Sequence, residues 1–162
     1  MKKALVTGVS WTTGIGFAVT QQLIRDGYFV YAVYHSAEST AKEYYDNHPD
    51  NVEFIQCDLA DRGSVSRLIE RFSGITINAI VNNAGAFGGG ENIDNYDMET
   101  WDSVFDVNVN APLMLSVGLK PNMEKGSVII NMVSTDGLKG SFSSMAYAAS
   151  KAALINLTDS LA

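Results

Sequence analysis

The sequence has 162 residues, a length typical of a single domain, and we expect one domain over residues 1–162. Its 18 acidic and 11 basic residues give a net charge of −7, which argues against binding to nucleic acid or to an anionic membrane. No apolar run approaches the roughly 20 residues that span a bilayer, and the run before Gly8 is too short for a signal peptide. We therefore expect a cytoplasmic protein.

Cysteine and histidine are too few to suggest a disulfide or a metal site. Two histidines and one cysteine offer no ligand cluster, so no metal is expected. Cys57 ends the apolar run VEFIQC. We interpret it as a small buried hydrophobe, which is consistent with a reducing cytosol.

Short apolar runs alternate with amphipathic segments in the first half of the chain. Residues 3–7 predict a buried strand, and apolar residues from Ile15 recur at helical spacing until Gly27, a plausible stop. The pattern then predicts a strand over 28–34, a polar helix over about 39–48 ended by Pro49, a strand over 52–57, a helix over 61–72 and a strand over 75–81. Residues 87–90 (FGGG) predict a loop.

The second half continues the alternation. Asp97 can cap a long helix that runs to about residue 117, residues 127–133 predict a fifth strand, and a last helix starts near Ser143 or Ser144 and continues to Ala162. Strands that alternate with helices indicate βαβ units and a mainly parallel sheet with helices on both faces. The nearly continuous apolar character of the strands fits burial on both sides.

The glycine-rich turn after the first strand is the first candidate site. Gly8, Gly14 and Gly16 lie between a strand and a helix, where glycines let backbone N–H groups approach a pyrophosphate at the positive end of the helix. A plain strand–helix turn with convenient glycines is the alternative, and the glycines alone do not decide between the two.

Five residues separate Gly8 from Gly14, which makes this turn long. The hydroxyls of Ser10, Thr12 and Thr13 can bind phosphate oxygens, and we include Ile15 among the candidate cofactor residues. Trp11 either folds over the site or lies on the surface.

Residues after the third and fourth strands extend the candidate cofactor site. Asp58, followed by Leu59, can accept a hydrogen bond from an adenine amino group. The alternative is that Asp58 caps a helix, and for Asp58 alone we slightly favour the helix cap. After the fourth strand, side-chain amides and small residues would let a ribose lie close to the backbone. These residues form the run NNAG, that is Asn82, Asn83, Ala84 and Gly85.

The end of the second strand bears on the choice between NAD and NADP. A carboxylate there would bind the ribose 2′-hydroxyl of NAD and repel a 2′-phosphate. The strand ends in Tyr34, His35 and Ser36, with no acid before Glu38, and this favours NADP although no arginine follows. His35 can supply partial positive charge, but an exposed turn histidine is the reading we favour.

Tyr147 and Lys151 are the second candidate site. They are four residues apart in the last predicted helix, so their side chains share a face. An ammonium next to a phenol favours the phenolate and makes the phenol a usable general acid or base. Ser134, at the end of the fifth strand, can bind a substrate oxygen where negative charge develops. For the Tyr–Lys pair alone, surface packing is the better interpretation.

Taken together, these motifs resemble the classical short-chain dehydrogenase/reductase family. The resemblance covers residue 3 to the end of the chain, with every motif in the family's order: TG…GIG, NNAG, DVNVNAP around Asn108, Ser134 and YAASK. It implies a Rossmann-like, doubly wound parallel sheet. It also implies an oxidoreductase that transfers hydride between NADP(H) and a small-molecule carbonyl or alcohol.

The resemblance also implies the roles of four catalytic residues. Tyr147 would donate the proton to a carbonyl, Ser134 would position that carbonyl, and Lys151 would tune Tyr147 and bind the cofactor ribose. Asn108 would help a water connect Lys151 to solvent; a polar residue that breaks a helix locally is the alternative.

Two features depart from the family pattern. The family's glycine turn is shorter than the one between Gly8 and Gly14, and family members continue beyond the Tyr–Lys helix into a sixth strand, a substrate-covering loop and a seventh strand. We therefore expect a truncated sheet of about five strands with the fifth at its edge. The chain is either a fragment or a short natural product. A homo-oligomer through the helices near 98–117 and 143–162 is our expectation, and a non-catalytic nucleotide-binding remnant is the alternative function.

Overall fold

One parallel sheet forms the centre of the structure, a computed structural model that describes residues 1–36, 39–47 and 51–162. Its strands are β1 (Lys2–Thr7), β2 (Tyr28–Tyr34), β3 (Val52–Gln56), β4 (Ala79–Asn82) and β5 (Val128–Asn131). Among the described residues, these five strands lie in the order β3-β2-β1-β4-β5, and each neighbouring pair is parallel. The chain thus adds β2 and β3 on one side of β1 and then crosses to the other side.

Helices follow the strands along the chain. They are α1 (Ile15–Arg25), α2 (Thr40–Asn47), α3 (Arg62–Arg71), α4 (Met98–Phe105), α5 (Ala111–Leu119), α6 (Asp136–Lys139) and α7 (Met145–Leu161). A π-helical segment, Asp106–Asn110, joins α4 to α5, and a 3-10 turn, Lys120–Asn122, follows α5. Across the described part of the chain, no helix is both long enough and apolar enough to cross a membrane.

Two hydrophobic clusters lie on opposite faces of the sheet. Leu5 and Ile80 belong to a cluster that includes Leu115 of α5, whereas their neighbours Val6 and Val81 belong to one that includes Phe17 of α1. Successive side chains of a strand point to opposite faces, so a strand covered on both sides must be apolar throughout. The predicted parallel sheet with helices on both faces is confirmed.

Two strand boundaries differ from the prediction. β4 begins at Ala79 rather than at residue 75, because the Ile77 N–H donates to Asn122 O, 2.9 Å away in the 3-10 turn, instead of joining the sheet. β5 covers Val128–Asn131 rather than 127–133, and it lies at an edge of the described sheet, as predicted. The predicted helix end at residue 48 and Pro49 lie outside the described residues.

The helix predicted over 97–117 is not continuous. Asp97 caps it as predicted, with a carboxylate oxygen 2.8 Å from the Thr100 N–H. The helix then widens into the π segment around Asn108 before α5 continues to Leu119. A short helix that the sequence did not predict, α6, lies between β5 and α7.

The loops after β1 and β4 meet backbone to backbone. Gly8 has a φ of +75°, and a Cβ on it would lie 2.7 Å from Ala84 Cα. A Cβ on Gly16 would lie 2.6 Å from the Gly8 carbonyl oxygen. Any side chain at these positions would push the two loops apart, so the close approach requires glycine.

We predict that Gly8→Ala lowers the free energy of unfolding by about 3 kcal/mol, because it combines backbone strain with a backbone clash. The matched control is Gly74→Ala, since Gly74 has a φ of +76° but nothing within 4 Å of its added Cβ. The control variant has the backbone strain without the clash, so its free energy of unfolding should fall by about 1 kcal/mol. Urea unfolding measures both variants, and equal losses would contradict the close approach of the two loops.

Candidate functional site

A cleft of about 540 Å³ lies at the carboxyl ends of β1 to β4. Such a crevice is expected where the strand order reverses, here between β1 and β4, because the loops after these strands lead to opposite faces of the sheet. One side of the cleft is closed by Ala86 of the β4 loop and by Val107 of the π segment. Trp11, from the β1 loop, also lines the cleft.

Part of the predicted cofactor set lines this cleft. The residues that do so are Gly8, Ser10, His35, Asp58, Leu59, Asn83, Ala84 and Gly85. The lining does not include the rest of the set, which is Thr12, Thr13, Gly14, Ile15, Gly16, Tyr147 and Lys151. Thr12 and Thr13 are exposed, and Ile15 at the start of α1 is 61% exposed. The structure therefore brings the strand ends together and leaves the start of α1 beside the cleft.

One buried hydroxyl ties the ends of β1 and β4. Thr7 Oγ1 accepts from the N–H groups of Asn83 and Ala84, at 3.1 and 3.0 Å. The Asn83 side chain donates in return to the carbonyl oxygens of Thr7 and Gly8, at 2.8 and 3.3 Å. The side-chain amide of Asn83 therefore binds the neighbouring loop.

His35 and Asp58 face each other across the open end of the cleft. His35 Nε2 lies 3.9 Å from Asp58 Oδ1, and both side chains are more than half exposed. Asp58 Oδ1 also accepts from the Ala60 N–H at 2.9 Å. The cap of α3 is Asp61, so the interpretation of Asp58 as the helix cap is wrong.

The cleft carries little positive charge. Among the described residues that line it, there is no lysine or arginine, and His35 is the one basic side chain. Glu38, the first acid after β2 and a residue relevant to the choice of cofactor, lies outside the described residues.

Tyr147 and Lys151 lie in the first turns of α7. Lys151 Nζ is 5.6 Å from the centroid of the Tyr147 ring, as their spacing predicted. Lys151 is 3% exposed and donates to the Met132 carbonyl oxygen at 2.7 Å. Burial lowers the pKa of Lys151 below the ordinary value of a lysine. Lys151 Nζ would lie 3.6 Å from a Cβ added to Gly85, which places the ammonium next to the cleft wall.

Ser134 is held by its own turn. Its Oγ accepts from the Asp136 N–H at 3.2 Å, at the start of α6. The short helix packs tightly on α7, since a Cβ on Gly137 would lie 2.7 Å from the Lys151 carbonyl carbon. Because Ser134 lies two residues before α6, it is held next to the helix that carries Tyr147 and Lys151. The hydrogen bond described for its hydroxyl joins residues that are two positions apart.

Asn108 links the β4 loop to α7. It is fully buried, its Oδ1 accepts from the Ala86 N–H at 2.8 Å, and its Nδ2 donates to Ala86 O and to Ser150 Oγ, both at 2.9 Å. Ser150 Oγ donates in turn to Tyr147 O at 2.7 Å. Asn108 is at the centre of the π segment. The residue that the resemblance predicts for the site therefore also lies where the helix is locally distorted.

Glu91 binds the first turn of the helix that carries Tyr147 and Lys151, and the sequence analysis did not single it out. It is 5% exposed, and Oε1 accepts from the Ala146 N–H at 2.9 Å, in the first turn of α7. A carboxylate is favourable at the positive end of a helix. Within the described residues, its second oxygen, Oε2, is buried without a hydrogen-bond partner. Because Glu91 lies 55 residues from Ala146, no local pattern links them.

The sheet order and the crevice between β1 and β4 define a Rossmann-like α/β protein. The family model for short chain dehydrogenases matches residues 2–162. The chain belongs to the short-chain dehydrogenase family.

Similar proteins match nearly the whole chain. Short-chain dehydrogenase/reductase olcF of Penicillium canescens is 34% identical over 165 residues, covering 98% of this chain and 61% of that relative. A short chain dehydrogenase from Burkholderia cenocepacia J2315 in complex with NADP is 31% identical with a TM-score of 0.86, covering 99% of this chain and 66% of its own. A blue fluorescent protein from a metagenomic library, in complex with NADPH, is 29% identical with a TM-score of 0.85, covering 96% and 65%. The chain spans about three fifths of the length of the curated relatives it matches.

We predict that Asn108→Ala lowers the free energy of unfolding by about 3 kcal/mol, because it leaves the Ala86 N–H and carbonyl without their partner. The control is Asn110→Ala in the same π segment, which loses one hydrogen bond, to Asp106. That loss is expected to be about 1 kcal/mol. Urea unfolding of both variants measures the difference, and an Asn108→Ala loss no larger than the control's would show that Asn108 does not tie the loop to α7.

The lowered pKa of Lys151 predicts a pH dependence of stability. Between its folded-state pKa and the unfolded value of about 10.4, the unfolded chain binds a proton that the folded chain does not. The stability of the wild type relative to Lys151→Met should therefore rise as pH increases through this window and be level below it. Chemical unfolding from pH 7 upwards measures this, with Lys120→Met removing an exposed ammonium as control. A difference that falls with pH would contradict the burial of a charged lysine.

Proposed function

We propose that this chain binds NADP(H) across the ends of β1 and β4 and serves an oxidoreductase that interconverts a carbonyl and an alcohol. Tyr147 is the general acid and base. The observation that supports this most is that Lys151 Nζ would lie 3.6 Å from a Cβ added to Gly85, which places the Tyr147–Lys151 pair beside the cleft. The bound nicotinamide would supply the hydride, and the protein supplies orientation and electrostatics.

The residues at the end of β1 fit a dinucleotide phosphate. Gly14 is the N-cap of α1, and within the described residues it makes no side-chain capping bond. The first N–H groups of α1 are thus left to bind an anion, which the helix dipole favours. Gly8 and Gly16 keep the backbone free of Cβ atoms at the same place. Ser10 contributes a hydroxyl on the cleft wall.

Residues of α7 and of the turn after β5 fit the proton transfer. Tyr147 gives a proton to the substrate oxygen during reduction and takes it back during oxidation. Lys151 Nζ lies 5.6 Å from the centroid of the Tyr147 ring. Ser134 Oγ accepts from the Asp136 N–H, and its O–H remains free to donate to the substrate oxygen. Asn108 holds the β4 loop against α7, through Ala86 and Ser150.

We favour NADP(H) over NAD(H) because no carboxylate follows β2 before Glu38. The Burkholderia cenocepacia and metagenomic structures, solved with NADP and NADPH, are consistent with this choice. The substrate class we propose is a small-molecule carbonyl or alcohol. A cytoplasmic location and a homo-oligomer through the helices near 98–117 and 143–162 stay predictions.

The second candidate function is nucleotide binding without catalysis. The observation that favours it is that Ser134, Tyr147 and Lys151 are not among the described residues that line the cleft. A chain of this kind would bind the cofactor through the ends of β1 to β4 and would not use Tyr147.

Cofactor binding and turnover with a panel of carbonyl compounds distinguish the two functions. NADPH and NADH are titrated by fluorescence, and turnover is measured for the wild type, Tyr147→Phe and Tyr28→Phe. We expect tighter binding of NADPH than of NADH. Tyr147→Phe should lower turnover by roughly 100-fold or more, the size of a general acid–base contribution, with cofactor affinity unchanged.

Tyr28→Phe is the matched control, because it removes a hydroxyl at the amino end of β2, away from the cleft. It should leave turnover unchanged. Binding of NADPH without turnover that depends on Tyr147 would favour the second candidate. Absence of binding to either cofactor would overturn both.

A further inference from the structure

We propose that Trp11 is a stacking platform for the adenine base of the bound dinucleotide. This inference rests on the proposed function and adds a residue to it. Trp11 lies in the turn between β1 and α1, where five residues separate Gly8 from Gly14. Trp11 lines the cleft and is 52% exposed. A large aromatic side chain that is half exposed at a cleft offers a face on which a planar ligand can stack.

The backbone on both sides of Trp11 is fixed to the start of α2. The Ser10 carbonyl oxygen accepts from Ser39 Oγ at 2.9 Å and from the Ala41 N–H at 3.2 Å. The Thr12 N–H donates to Thr40 Oγ1 at 3.1 Å. These bonds hold the segment that carries the indole, so a ligand that stacks on Trp11 does not have to order the loop.

The Trp11 carbonyl oxygen adds a second constraint within the turn. It accepts from the Gly14 N–H at 2.9 Å, which closes the turn just before α1 begins. A Cβ on Gly14 would lie 3.1 Å from this oxygen. The turn therefore leads directly into the amino end of α1, where we propose that the phosphates bind. One dinucleotide would contact both this helix end and the indole.

The position of Trp11 points to the adenosine half of the ligand. The indole shares the cleft with Tyr34 and His35 at the end of β2 and with Asp58 at the end of β3. In a doubly wound sheet, the end of the second strand is where the adenosine ribose binds. The nicotinamide half would lie towards Tyr147, on the other side of β1.

The charge of the cleft favours an uncharged interaction with the adenosine half. Its described lining includes no lysine or arginine that could form an ion pair with a phosphate. A purine can instead stack on the face of an indole, an interaction that does not require charge. Loss of such stacking weakens binding by roughly tenfold or more.

Trp101 provides a matched control, because the chain has two tryptophans and Trp101 stacks on Phe105 in α4 with ring centroids 4.9 Å apart. The experiment compares the wild type, Trp11→Ala, Trp11→Phe and Trp101→Phe. NADPH dissociation constants are measured by calorimetry, and thermal unfolding checks that each variant folds. We expect Trp11→Ala to raise the dissociation constant roughly tenfold or more. Trp11→Phe, which keeps a ring, should lose less, and Trp101→Phe should match the wild type.

Adenosine monophosphate identifies the half of the ligand that is bound. Tryptophan fluorescence should be quenched by this nucleotide in Trp101→Phe, where Trp11 is the remaining tryptophan, and not in Trp11→Phe. Nicotinamide mononucleotide should quench neither. If the wild type binds NADPH and Trp11→Ala binds it equally well, the inference is overturned and the proposed function stands. If the wild type binds neither NADPH nor NADH, the proposed function fails and this inference fails with it.

Discussion

The Thr7 hydroxyl is the contact on which the geometry of the site depends. It accepts hydrogen bonds from two backbone amides of the β4 loop, and Asn83 binds back to the carbonyl oxygens of Thr7 and Gly8. Since β1 and β4 are neighbours at the point where the chain crosses the sheet, these bonds set the distance between the loops that line the cleft. The absence of a Cβ at Gly8 lets them come that close.

The β4 loop is bonded on its other side to α7, so the cleft and the Tyr147–Lys151 pair form one connected arrangement. Asn108 joins Ala86 to Ser150, which is bonded to Tyr147 O. Glu91 joins the same loop to the first turn of α7 through the Ala146 N–H. A loop fixed at both ends can position a ligand between β1 and α7 without a large ordering cost.

Local patterns in the sequence predict most of the fold, because the apolar strands are continuous and the helix signals are strong. Asp97 caps its helix, and Tyr147 and Lys151 share a face, because both features depend on neighbours within four residues. Contacts between distant segments carry no such signal. The amide of Asn83 binds Thr7, 76 residues away, and the β4 boundary depends on a bond from Ile77 to Asn122. The sequence also left open whether Trp11 faced the site, because bonds to α2 fix its turn.

Binding of a dinucleotide across the ends of β1 and β4 is tested most directly by mapping amide chemical shifts of the isotope-labelled chain as NADPH is added. We predict the largest changes at Gly8, Ser10, Asn83 and Ala84, which line the cleft. Changes confined to the groove beside β5, near Ile129 and Thr158, would contradict this location. No change at saturating NADPH would contradict the binding itself.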